Sequence, residues 1–223
     1  MLIGGQMDKK TVLEALRKVR EESKKRNFAQ TVDLIVNLKD IDLKKTEDQV
    51  DFFAVTHHST GKKKKICALI GPELLDEAKK VCDRAIMAEE FEAFARDKKL
   101  AKKLASEYDF FIAQANIMPK IASAFGKVFG PKGKMPNPKA GCIIPPKAAL
   151  KPLYDKLQNT LKISAKTAPM IQCLVGKESL RDEEIADNII DIYNQIESKL
   201  PKGKNNIKNM LIKLTMGKPV RLV

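Results

Sequence analysis

Short apolar runs alternate with helical stretches through the middle of the chain, and this alternation limits the fold classes that the chain can adopt. The run Ile66–Ile70 stops at Gly71-Pro72 and leads into a helical stretch from Glu73 to Val81. The strand pattern Asp109–Gln114 is followed in the same way by helical spacing from Ile117 to Phe125. A repeated strand–helix order is typical of a mostly parallel sheet covered by helices. We therefore predict an α/β domain for residues 61–159.

Both ends of the chain have another pattern, in which amphipathic helices accompany alternating strands. Apolar residues at every second position predict a half-buried strand over Thr31–Leu38. Four isoleucines at helical spacing predict the buried face of a helix over Asp182–Leu200. Because the ends share this pattern, we predict one discontinuous α+β domain with an antiparallel sheet, made of residues 1–60 and 160–223. Its other predicted elements are a helix over Asp8–Lys25 and strands over Val50–Thr56, Ile171–Val175 and Ile207–Thr215.

The middle of the chain also contains elements that are harder to define. We predict a short strand over Arg84–Met87 and a helix over Glu89–Ser106 that breaks near Asp97. Gly126–Pro146 is the longest irregular stretch. The helix predicted over Lys147–Asn159 contains a proline, which marks either a break or a late start.

The charge of the chain points to a polyanionic partner. The net charge is +14, and residues 61–159 hold 20 basic and 11 acidic groups, a net charge of +9. Such an excess attracts nucleic acid or anionic membranes. Aromatic residues make up only 5% and tryptophan is absent, which argues against a sheet that stacks bases. This composition leaves room for docking on a folded RNA by shape and backbone contacts. No apolar run approaches the roughly 18 residues of a membrane span, and the first residues lack the features of a secretory signal.

Neither a metal site nor catalysis has support in the sequence. The cysteines stand far apart and are predicted to be reduced core thiols of a cytosolic protein; they are Cys67, Cys82, Cys142 and Cys173. His57 and His58 are adjacent, and neighbours in a strand point to opposite faces, which disfavours a shared metal ion. Gly133-Lys134 fails the phosphate-loop pattern, since Val128 and Met135 stand where glycine and Ser/Thr are needed. We predict no enzyme, no cofactor and no metal.

Four stretches combine cations with small or flexible residues and are candidates for RNA contact. Each also has a plainer interpretation: a core phenylalanine ahead of a strand for the first, a solvated loop for the second and third, and a terminal strand and turn for the last. They are Arg26–Leu34, Gly130–Pro138, Lys162–Pro169 and Lys213–Val223. In the last stretch, glycine permits close approach and Thr215 can bond to sugar or phosphate.

These stretches, in this order, resemble the ribosomal protein L-one family, whose members bind RNA in the mobile stalk of the large ribosomal subunit. Thr215-Met216-Gly217 is similar to the family signature, and the Gly-Lys-Pro continuation resembles its archaeal and eukaryotic branch. Residues 26–31 and 130–138 resemble two further family motifs. The resemblance spans about residues 8–223. Ala168 departs from the pattern, since many members carry a cation there, and only His58 matches the usual Pro-His-Gly.

The resemblance implies a split domain, an inserted Rossmann-like domain, and a two-stranded hinge near Gly61 and Thr160. It implies rRNA contacts by residues that should converge on one face; these are Phe28, Gln30, Thr31, Lys166, Lys213, Thr215, Met216, Gly217 and Lys218. Lys132, Gly133 and Lys134 would form a second, outward-facing RNA contact of the inserted domain.

The resemblance also implies a cytoplasmic, ribosome-bound protein without membrane contact that is a monomer before ribosome assembly. Its partners would be large-subunit rRNA, exit-site tRNA, whose release it would assist, and its own mRNA, which it would repress. Two other classes of function remain open in the sequence: a nucleotide-dependent enzyme built on the α/β domain, and a DNA-binding protein.

Overall fold

The computed structural model describes residues 7–45, 48–146 and 148–222 and shows a mixed α/β protein. From the sequence alone we also expect the residues before Met7 to be frayed, and they lie outside this described part. The helices are α1 (Lys9–Glu22), α2 (Leu75–Val81), α3 (Phe91–Arg96), α4 (Lys98–Glu107), α5 (Met118–Phe129), α6 (Leu150–Gln158) and α7 (Asp182–Lys199). The strands are β1 (Thr31–Leu38), β2 (Val50–Val55), β3 (Ile66–Ile70), β4 (Arg84–Met87), β5 (Phe110–Gln114), β6 (Ile143–Ile144), β7 (Thr160–Ala165), β8 (Met170–Lys177), β9 (Ile207–Leu214) and β10 (Val220–Arg221).

The chain divides into two compact units. Unit one runs to Lys62 and resumes at Asn159, and unit two spans Lys63–Gln158. The boundaries expected from the sequence were 60/61 and 159/160. No described helix is both long enough and apolar enough to cross a membrane.

Unit one contains an antiparallel sheet with the strand order β10-β9-β1-β8. The predicted alternation of β1 is confirmed, because its even-numbered residues are buried and its odd-numbered ones are partly exposed. Helices α1 and α7 cover the buried face. Asp8 caps α1 by accepting a hydrogen bond from the amide of Lys10 at 3.1 Å. The four predicted isoleucines of α7 are fully buried, so this face stabilises the unit through the hydrophobic effect.

A separate two-stranded ladder in unit one pairs β2 with β7, from Val50 opposite Ala165 to Val55 opposite Thr160. The sequence prediction was wrong here: it treated Lys162–Pro169 as a turn, whereas its first half belongs to β7. Leu161 and Ile163 are buried, whereas Lys162 and Ser164 are exposed. The alternation of a strand was therefore present in the sequence, but the polar residues around it made it hard to recognise. Strand β10 was missed as well.

Unit two contains a parallel sheet with the strand order β4-β3-β5-β6. Strand β3 is buried along its whole length, as expected when helices cover both faces of a parallel sheet. Four phenylalanines form the centre of one helix layer. The ring centroid of Phe125 lies 5.3 Å from that of Phe91, 5.4 Å from that of Phe94 and 4.9 Å from that of Phe129. The predicted break near Asp97 is confirmed, since α3 ends at Arg96 and Asp97 caps α4.

The stretch predicted to be irregular from Gly126 to Pro146 is partly regular. Helix α5 continues through Gly126 to Phe129, because Val128 and Phe129 reach the core, and β6 forms inside the stretch. Helix α6 begins at Leu150, so Pro152 lies in its first turn, where its missing amide costs little. The predicted start of this helix at Lys147 lies outside the described residues.

The four cysteines are buried and free, as predicted for core thiols. Burial raises the pKa of Cys82 and Cys142 to about 11 and that of Cys173 to about 12. The pKa of Cys67 is raised further by the same cause. These thiols therefore stay protonated and unreactive near neutral pH.

Candidate nucleic-acid interface

The two ends of the chain meet where β1 begins and β9 ends. Val32 pairs with Leu214, so Thr31 and Thr215 become neighbours. The Thr215 hydroxyl accepts from the Thr31 amide at 3.0 Å, and the two hydroxyl oxygens are 2.8 Å apart. The Thr215 amide in turn donates to the Thr31 carbonyl at 3.0 Å. We call residues 28–31 and 215–217 the β1/β9 corner.

Gln30 is a brace inside this corner. Its side chain is almost fully buried, with 1% exposed. Its Oε1 accepts from the Met216 amide at 3.1 Å, and its Nε2 donates to Ser23 Oγ at 3.3 Å. The sequence assigned Gln30 to direct RNA contact, and its burial does not fit that role. Gln30 instead fixes the backbone of Met216.

Two large apolar side chains project from the corner. Phe28 is 54% exposed and Met216 is 61% exposed. Large apolar side chains are seldom exposed together on a polar surface. Where they are, and where hydrogen bonds hold their backbone in place, they mark an interaction surface. Phe28 also lines a shallow cleft of about 390 Å³ with Arg26 and Glu178 among its walls.

Cations surround these apolar groups. Lys24, Lys25 and Arg26 precede Phe28, and Lys218 follows Gly217; all four are exposed. None of the four has an ion-pair partner in the described part of the chain. Free cations of this kind attract phosphates, and the release of counterions drives binding.

Gly217 has an internal reason to be glycine. A Cβ atom at this position would lie 3.3 Å from the Cβ of Leu214 and 3.4 Å from Ser23 Oγ. Its amide donates to the Leu214 carbonyl at 2.9 Å and closes the turn. The sequence pattern explained this glycine by close approach of a partner, and the structure adds a tight contact with Leu214 and with Ser23, the residue after α1.

Lys213 lies on the partly exposed face of the sheet, opposite Asp33 in the ladder. Burial raises the pKa of Asp33, and the positive charge of Lys213 and a hydrogen bond from Thr31 both oppose this rise. Beside the corner, the sheet therefore carries a cation next to an acceptor carboxylate.

Lys166 lies far from the corner, in contrast to the predicted convergence on one face. It follows β7, and its Nζ is 2.6 Å from Asp51 Oδ2. The hairpin after it reaches the other end of β1, where the Leu38 amide donates to the Pro169 carbonyl. Seven residue steps separate Leu38 from Thr31, about 23 Å along the strand. The motif indicated that Lys166 belongs to a basic loop. It did not indicate at which end of the sheet this loop lies.

The predicted second contact in unit two is also different from expectation. Lys132 Nζ donates to the Lys102 carbonyl at 3.2 Å, and Lys134 Nζ donates to the Tyr108 carbonyl at 2.6 Å. Lys132 Nζ also donates to Ser106 Oγ at 2.6 Å. Both cations therefore lie beside the C-terminal half of α4, the end at which the helix dipole favours positive charge. Lys132 remains exposed, whereas Lys134 is half-buried and does not point outward. Gly133 has φ +62°, which suits the turn between them.

The two predicted hinge residues lie next to the points where the chain passes between the units. Gly61 has φ +73°, a conformation that favours glycine. Thr160 is the first residue of β7 and is buried.

The reason given against a metal at His57 and His58 was wrong, because the two residues lie in a bend with ring centroids 4.7 Å apart, not on opposite faces of a strand. Across the described residues, no group of three metal-ligating side chains is found.

Sequence reasoning missed two residues that support the corner from outside it, Ser23 and Glu178. Ser23 accepts from Gln30, and Glu178 Oε2 accepts from the Gln30 amide at 3.2 Å. Glu178 is 148 residues away from Gln30 in the chain, and no local pattern marks it. Only the register of β8 against β1 brings it there.

Comparison with known proteins agrees with the resemblance in the sequence. A family model described as "Ribosomal protein L1p/L10e family" matches residues 19–218. "Large ribosomal subunit protein uL1" of Methanothermococcus thermolithotrophicus is 39% identical over 216 residues, which cover 97% of this chain and 99% of that protein. The proteins of the same name from Methanobrevibacter smithii and Thermococcus kodakarensis are 40% and 38% identical, cover 95% and 96% of this chain, and match over 98% of their own lengths. The family consists of ribosomal proteins, not enzymes. The chain belongs to the ribosomal protein L1p/L10e family.

Proposed function

We propose that this chain is a structural protein of the large ribosomal subunit and binds large-subunit rRNA through the β1/β9 corner. The observation that carries the proposal is the Gln30 brace, which holds Met216 beside the Thr31–Thr215 pair while Phe28 and Met216 stay exposed. A rigid, cation-ringed surface with apolar projections suits a folded RNA, which proteins recognise by shape and by backbone contacts. The relatives are named as proteins of the large ribosomal subunit, and these names support the same role.

The finer parts of the proposal follow from the family resemblance. Unit one and unit two would be the two domains, with unit two a Rossmann-like domain, and movement at Gly61 and Thr160 would let a stalk swing. The protein would act in the cytoplasm as part of the ribosome, joining it as a monomer. It would help deacylated tRNA to leave the exit site and repress its own mRNA through an rRNA-like structure.

The brace gives the first prediction. We expect Gln30→Met to weaken binding of a large-subunit rRNA fragment by about 1 kcal/mol, because the Met216 amide loses its acceptor while the side-chain volume is kept. Filter-binding titration measures the change. Gln172→Met, which replaces an exposed glutamine on β8, is the matched control. Equal affinity of the Gln30 variant and the parent protein would count against the brace.

The cations give the second prediction. If about four phosphates are contacted, log K falls with log salt concentration at a slope of about −3 to −4. Titrations from low to moderate salt with the same RNA fragment measure this slope. A flat response would reject a phosphate-dominated interface, and tighter binding of duplex DNA in direct competition would favour a DNA-binding protein instead.

A further inference from the structure

Unit two has an open cleft of about 830 Å³ at the carboxyl edge of its parallel sheet. The residues that follow β3, β4 and β5 line it, together with the start of α5. In the strand order β4-β3-β5-β6, the chain continues from β3 to its neighbour β4 on one side and from β5 to its neighbour β6 on the other. The cleft therefore lies between β3 and β5, where the strand order reverses. In α/β sheets this position is the usual place for a ligand. The function of the β1/β9 corner does not use it.

The turn after β3, which lines this cleft, does not suit a phosphate ligand. The Gly71 amide is already bonded to Gln114 Oε1 at 2.8 Å, and Pro72 has no amide to donate. Glu73 accepts from Gln114 Nε2 at 3.0 Å and holds a negative charge at the point where a phosphate would sit. An anion-binding turn needs free amides directed at the ligand. The turn after β3 therefore offers no phosphate site for the nucleotide-dependent enzyme that the sequence left open.

The charge around the cleft is opposite to that of its surroundings. Three exposed glutamates, Glu73, Glu89 and Glu92, face a single cation, Lys120. Residues 61–159 nevertheless carry a net charge of +9. Glu92 also pairs with Arg96 of its own helix at 3.3 Å, but both side chains are 82% exposed, so solvent screens this pair. The cleft is thus an acidic site in a basic unit.

Between the glutamates the walls are mainly apolar. Phe91 and Ile117 contribute to the lining although most of their surface is buried, and Pro119 and Ala124 complete this side. Apolar walls with a few polar groups at the rim are typical of ligand sites, and the volume falls within their usual range of about 300–1,000 Å³.

We propose that this cleft binds a short basic segment of a partner protein. Lysine or arginine heads would pair with Glu89 and Glu92 at the rim, and their aliphatic stems and a neighbouring apolar side chain would pack on Phe91 and Ile117. A peptide that alternates basic and apolar residues satisfies both parts of the lining. A free polyamine supplies the charge but no apolar side chain, and a nucleic acid is repelled by the glutamates.

The test uses the full-length chain labelled with ¹⁵N and the probe peptide acetyl-Arg-Leu-Arg-Leu-Arg-amide. Amide chemical shifts are followed during titration, and spermidine serves as a second titrant. We expect saturable shifts at residues after β3, β4 and β5. Glu89→Gln combined with Glu92→Gln should weaken peptide binding about fivefold, by analogy with exposed ion pairs. Ser123→Tyr, which fills the cleft without changing its charge, should abolish saturation.

The controls separate a cleft from a merely acidic surface. Asp155→Asn removes an exposed carboxylate of α6 outside the cleft and should leave the peptide affinity unchanged. Unperturbed amide shifts in the remainder of each variant show that it is folded. Peptide binding that both cleft variants leave intact, or no shift at the cleft, overturns the proposal. Equal affinity for spermidine and peptide overturns the choice of a protein segment.

Discussion

Thr215→Ala combined with Met216→Asp weakens binding of a large-subunit rRNA fragment by about 2–4 kcal/mol. The alanine removes the hydroxyl that accepts from the Thr31 amide and contacts the Thr31 hydroxyl, so the corner loses part of its internal support. The aspartate replaces an exposed apolar side chain with an anion that must be buried against phosphates. The magnitude combines the loss of hydrogen bonds with the burial of an unpaired charge.

Filter-binding titration of the double variant against the parent protein measures this effect. Met170→Asp is the matched control, since Met170 is also an exposed methionine of unit one, 41% exposed, but pairs with Asn37 near the far end of β1. We expect the control to lose less than about 0.5 kcal/mol, as is usual for surface substitutions. Parent-like affinity of the double variant would remove the corner from the interface.

Phe125→Ala lowers the free energy of unfolding of unit two by about 3–5 kcal/mol. Phe125 is fully buried and contacts the rings of Phe91, Phe94 and Phe129. Removing the ring forfeits its burial and leaves a cavity among three other rings, and this combination gives the largest losses among core substitutions. The buried clusters of the two units share no residue, so the loss should be confined to unit two.

Amide hydrogen exchange, read residue by residue, tests both the size and the location of this loss. Protection should fall over Lys63–Gln158 and persist in α7 and β1. Phe125→Leu keeps most of the volume and should cost less than about 1.5 kcal/mol. Equal loss of protection in both units would show that their stabilities are coupled.

The sequence alone predicts those parts of the fold whose pattern is local. The bounds of β1 and β3 agree with the prediction, because the period-two alternation of β1 and the continuous apolar run of β3 end at turn residues. The bounds of β4 agree as well. Helix α5 runs past its predicted end, because burying Val128 and Phe129 outweighs the cost of about 1 kcal/mol for a glycine in a helix. Strand β7 owes its structure to pairing with β2, more than 100 residues away in the chain, which no local pattern reveals.

In the candidate site, too, the sequence predicts what depends on local motifs and not what depends on long-range pairing. Phe28, Thr31 and Met216 could be named from short motifs, and all three lie in the β1/β9 corner. Their order in the chain did not reveal that Gln30 turns inward, that Glu178 supports it, or that Lys166 stands at the other end of the sheet. These facts depend on strand register, which is fixed by packing of the whole sheet.

If the β1/β9 corner touches large-subunit rRNA, a photoreactive side chain placed in the corner should cross-link to that RNA in assembled subunits. The photoreactive amino acid p-benzoylphenylalanine is placed at position 28 or, as a control, at position 170, and large subunits carrying the tagged protein are isolated on sucrose gradients before irradiation. We expect cross-links to large-subunit rRNA from position 28 and few or none from position 170. Cross-links from position 170 with none from position 28 would contradict this contact.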